Sequence, residues 1–71
     1  MTDLVKLNQI IKDSGLMKTY IADKADIKYH NFARRLKGQG EFTASEIMNL
    51  CKVLNLKVSD RNAIFFKEER E

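Results

Sequence analysis

Between Lys28 and Lys37 the chain reads KYHNFARRLK, a run of basic, aromatic and amide side chains suited to recognising a polyanion. Arg34 can pair bidentately with guanine, and Asn31 or His30 can hydrogen-bond to a base or a phosphate. Tyr29 offers a hydroxyl and an apolar ring, and Ala33 a methyl against thymine or clearance for close approach. Lys18, Lys24, Lys28, Arg35 and Lys37 flank these residues as cations for phosphates. Lys18-Thr19 starts a helix, and helix starts present free N–H groups that also bind phosphate. Taken singly, each residue has a plainer reading. Arg34-Arg35 suits an ordinary solvated helix face, His30 a surface position, and Tyr20 and Tyr29 the edge of a core. Their convergence on one pair of short helices favours DNA.

Other chemistry is thinly supplied. The chain has one histidine, one cysteine and no nucleophile motif or convincing carboxylate pair. Gly38-Gln39-Gly40 lacks the preceding strand and third glycine of a phosphate loop. Lone Cys51 lies on an apolar helical stripe, where it reads as a small hydrophobe, and it allows no internal disulfide. No enzymatic activity, cofactor, metal or small-molecule ligand is expected.

Positioning these side chains falls to helices. Seventy-one residues suffice for one small domain, expected over 1–71. No apolar run reaches the ~20 residues of a membrane span, and the N-terminus lacks a signal-peptide layout, so a cytoplasmic, nucleoid-associated location is expected. The net charge of +3 is concentrated: residues 18–39 hold six cations against two carboxylates, Asp23 and Asp26. Leu4, Leu7, Ile10 and Ile11 set the stripe of a first helix over 3–14, capped by Thr2 or Asp3 and closed by Gly15. Leu16 should turn back into the core. A second helix over about Lys18 to Ala25 points Ile21 and Ala25 inward, with Ala22 small at a helix crossing. Asp26 makes the turn and Ile27 plugs the core. A third helix over 28–37 buries Phe32 and Leu36, spreads Tyr29, His30, Ala33, Arg34 and Lys37 over its other side, and ends at Gly38 in a flexible connection.

Thr43 and Glu46 form a capping box, with Phe42 and Ile47 as its hydrophobic staple, before a fourth helix striped by Ile47, Leu50, Cys51 and Leu54. Asn55 stops it. Ser59 is the expected N-cap of a fifth helix, with Asp60 in its first turn and Ile64, Phe65 and Phe66 at its centre. Adjacent phenylalanines cannot share one stripe, so one of them is a candidate for a partner contact. Lys67 to Glu71 reads as a charged, frayed end.

Leu16 to Gly38 resembles the helix-turn-helix of the lambdoid phage Cro and repressor family. The matching residues are Ile21-Ala22, the turn at Asp26-Ile27, then Phe32 and Leu36 before Gly38. EFTASEIMNLCKVLNL and the short helix with IFF are similar to small Cro-like phage proteins, so the likeness covers nearly the whole chain. It implies an all-α, compact five-helix repressor-like domain that binds operator DNA, encoded by a phage or prophage and acting as a homodimer at least on DNA. Carried over by position, Lys28, Tyr29, His30, Asn31 and Arg34 occupy groove-facing places, Lys18 touches phosphate, and Lys37 and Gln39 approach the backbone beyond. Phe65 and Phe66 are the expected dimer contact, with Met48 and Val53 as the competing surface. Two residues depart from the family pattern: Asp26 stands where glycine is usual, and Lys28 where Ser or Thr often caps the groove helix. The rival reading keeps the fold as a protein-interaction module that binds a repressor, toxin or polymerase.

Overall fold

The computed structural model describes residues 2–66, and these form five helices joined by short turns. In chain order they are α1 (Leu4–Ser14), α2 (Lys18–Lys24), α3 (Tyr29–Leu36), α4 (Ala44–Val53) and α5 (Val58–Phe65). The expected charged end, Lys67 to Glu71, lies outside the described residues. Among the described residues no helix is long and apolar enough to cross a membrane. The chain folds as an all-α domain. Helix α2 packs on α3 and α4, and α5 packs on α1 and α4.

The helices start and stop for local reasons. Asp3 caps α1 by accepting from the Lys6 N–H at 3.1 Å. Thr43 and Glu46 make the full capping box at α4. At the other ends one device recurs. After α2, the Asp26 N–H donates to the Asp23 carbonyl and the Ile27 N–H to the Ala22 carbonyl. After α3, Gly38 and Gln39 bond in the same way to Arg35 and Arg34, and after α4, Asn55 and Leu56 to Lys52 and Cys51. These are Schellman closures, each pivoting on a left-handed residue: Asp26 (φ 59), Gly38 (φ 92) and Asn55 (φ 56). The apolar residues that follow two of them serve the core: Ile27 is buried and Leu56 packs against it.

Apolar side chains from every helix meet in one cluster, with Leu7, Ile21, Phe32, Leu50 and Ile64 fully enclosed. Phe42, just before α4, joins two sides of it. Its ring lies 6.3 Å from Phe32 of α3 and 5.8 Å from Phe65 of α5, the latter edge-on.

Three expectations change. Leu16 stays at the surface, 37% exposed, because Ile21 and Ala22 supply the apolar contact of that segment. Ser59 lies inside α5, whose N-cap is Lys57; the Asp60 carboxylate reaches back to the Lys57 N–H at 3.3 Å and sets the earlier start. Of the two phenylalanines, Phe65 is core at 5% exposure and unavailable as a dimer contact, while Phe66 is 52% exposed.

Candidate nucleic-acid interface

The surface around α3 is built by the α2–α3 unit. The turn between them is Ala25-Asp26-Ile27-Lys28, held by the α2 closure and by buried Ala25 and Ile27. Small Ala22 is also buried. Helix α3 then turns Phe32 and Leu36 into the core. That inward pair dictates which residues face out. Tyr29, His30, Arg34 and Lys37 are exposed, while Asn31 and Ala33 are half-buried at the flanks. Lys28 is the extended N-cap of α3 and makes no side-chain cap bond, as a residue without an acceptor must. The open N-terminus of α3 and the Lys28 ammonium therefore reinforce one another as a positive region.

On α2, Lys18, Thr19 and Lys24 are exposed. The Lys24 ammonium lies 5.8 Å from the centre of the Tyr20 ring, a contact that keeps its charge near α2. Lys37 and Gln39 extend the cationic and polar face past the end of α3. Asn31, Arg34, Arg35, Gln39 and Gly40 line a shallow hollow beside α3. The residues expected at DNA thus gather on the α2–α3 unit, with one exception. Arg35 is half-buried and pairs with Glu46 of α4, so its guanidinium is engaged inside the protein.

That ion pair extends the capping box. Glu46 Oε1 accepts from the Thr43 N–H at 2.9 Å and also from Arg35. Partial burial pushes the Glu46 carboxyl upward, but the Thr43 and Arg35 hydrogen bonds and the Arg35 charge outweigh it and hold the group below its ordinary range. Asn49, one turn along α4, donates to the Ala25 carbonyl at 3.0 Å. Asn8 of α1 donates to the Leu4 carbonyl at 2.8 Å and, at 3.4 Å, to Leu36 at the end of α3. None of these three links to α2 or α3 was legible in the sequence. The capping-box spacing exposes Thr43 and Glu46, but no spacing pairs Glu46 with Arg35 or Asn49 with Ala25. Cys51 is half-buried against the core; burial pushes its thiol up, and the Arg61 charge offsets part of that.

A family model described as the Cro/C1-type HTH DNA-binding domain matches residues 6–61. No curated protein and no solved structure matches the chain.

Proposed function

Because the chain belongs to the Cro/C1-type helix-turn-helix DNA-binding domain family, we propose that it is a sequence-specific transcriptional regulator, a repressor that lays α3 in the major groove of operator DNA. The observation that carries this reading is the division of α3: Phe32 and Leu36 are locked in the core, His30 and Arg34 project from the opposite side, and Tyr29 is exposed at the start of the helix. A helix is ~10–12 Å across and the major groove ~12 Å wide, so such a helix fits with its outer side chains at base edges. Lys28, Tyr29, His30, Asn31, Ala33 and Arg34 read bases. Lys18, Thr19, Lys24, Lys37 and Gln39 hold the phosphate backbone, and Arg35 acts from within the protein. Repression follows from occupancy, since a bound domain blocks polymerase.

One such domain makes few base contacts. Two copies on half-sites ~34 Å apart read a longer sequence and bind more tightly. Exposed Val58 on α5 and Phe66 just after it supply the pairing surface, and exposed Met48 is the competing one.

The test is a titration against the DNA upstream of its own coding sequence at several salt concentrations. A preferred site and a steep salt slope are expected. Arg34→Ala should then cost about 1–3 kcal/mol at that site and relax the preference at one base pair. Lys18→Ala should weaken all sequences alike and reduce the salt slope by about one. Weak, sequence-blind binding by the native protein would instead point to a protein-interaction module.

A further inference from the structure

We propose that α4 sets the pose of the reading helix from behind, with Glu46 and Asn49 as positioning residues that never touch DNA. The inference rests on α3 being the groove helix. Glu46 and Asn49 are three residues apart on α4, so they lie on one face. Glu46 holds Arg35, in the last turn of α3. Asn49 holds the carbonyl of Ala25, which ends α2 immediately before the left-handed Asp26. One face of α4 therefore grips both the turn that leads into α3 and the far end of α3.

The two grips supply what the core does not. Phe32 and Leu36 fix which side of α3 is buried, but apolar contact is non-directional and sets the fine angle of the helix less sharply than a hydrogen bond does. Hydrogen bonds are directional, and these two act at separated points. Glu46 is itself held in place. The oxygen that receives Arg35 also receives the Thr43 N–H, and Thr43 Oγ1 accepts from the Glu46 N–H at 3.2 Å. Bidentate recognition of a base edge tolerates little angular error, so restraint of α3 becomes discrimination between sequences. Non-specific binding, which needs only cations near phosphates, does not depend on it.

The sign of one substitution separates positioning from electrostatics. Glu46→Gln removes a negative charge from a DNA-binding domain and keeps an acceptor for the capping box. Charge alone makes this variant bind every duplex more tightly. Positioning makes it bind the preferred site less tightly.

The experiment compares the native protein, Glu46→Gln and Asn49→Ala on the preferred site and on a random duplex of equal length. Circular dichroism at the assay temperature checks that each is folded, and the near-isosteric Asn49→Leu replaces Asn49→Ala if the latter unfolds. We expect each variant to lose about tenfold on the preferred site, the scale of one bidentate base contact, with binding to the random duplex unchanged or slightly tighter. Equal changes on both duplexes overturn the inference, as does a variant that only melts earlier and keeps its preference. A native protein with no preferred site overturns the groove-helix reading beneath it, and this inference with it.

Discussion

Asp26 shows how one residue sets the terms for the DNA-facing unit. At φ 59 it occupies the left-handed region, where a Cβ crowds the following carbonyl at a cost of about 1–2 kcal/mol for most residues. Asp, with a short polar side chain, tolerates the region better than alanine, and glycine pays no Cβ penalty. The turn cannot be relaxed, because the Ile27 N–H must reach the Ala22 carbonyl at 2.9 Å and Ile27 must stay buried. Chemical denaturation should therefore rank the variants. Asp26→Ala loses about 1 kcal/mol relative to the native chain, and Asp26→Gly matches or exceeds it. Equal stability of the Ala and Gly proteins would contradict a strained turn. The position was legible in the sequence, because Asp and Asn are the usual substitutes for glycine there. Arg35 was legible only as a cation: nothing near it in the chain distinguishes a phosphate contact from a partner of Glu46.

At the level of elements, α4 is the helix whose start was easiest to read and whose connections were hardest. Thr43 and Glu46 announce their capping box within four residues, and the structure has both of its bonds. The same carboxylate also carries the Arg35 pair, so its ionisation is linked to folding. Its folded value is lowered, so its stabilisation is fully present above the ordinary carboxylate range and is lost as pH falls through the lowered value. Glu46 is 18% exposed at its side chain, so solvent screens the pair only in part. Glu46→Gln should cost about 1 kcal/mol at neutral pH, and the difference should vanish at strongly acidic pH, where the native carboxyl is protonated too. Unfolding curves for both proteins across the acid range check this; a constant offset would sink it. Ser59 has the chemistry of a cap, yet the N-cap of α5 is Lys57. The helix begins earlier, where Asp60 can accept from the Lys57 N–H.

For the molecule as a whole, eight large apolar side chains are exposed among the described residues, and Phe66 is one of them. Its neighbour Phe65 packs edge-on against Phe42, which joins α3 to α5. The Arg61 guanidinium lies 5.6 Å from the Phe66 ring centre, so that aromatic face is partly occupied yet still half open to solvent. If two copies pair through α5, Phe66→Asp should abolish self-association in sedimentation equilibrium. It should also raise the protein concentration needed to fill a two-half-site operator by about tenfold or more, the usual reach of losing a central aromatic contact. Its melting should shift little, since an exposed side chain carries little folding energy. Unchanged association would move the pairing surface to Met48.

Helix periods, caps and turn residues are local, so one sequence sufficed to place the helices, the inward pair Phe32 and Leu36, and the stops at Asp26, Gly38 and Asn55. The concentration of cations between Lys18 and Lys37 is likewise a property of the chain alone. Other features joined residues distant in sequence. Tertiary packing sent Leu16 outward and Phe65 inward, turned Arg35 toward Glu46 and brought Asn49 to the Ala25 carbonyl. The physical reason is that apolar periodicity says which side of a helix is buried but not what it is buried against. A polar side chain at the edge of such a stripe takes whatever partner the fold delivers within hydrogen-bonding distance.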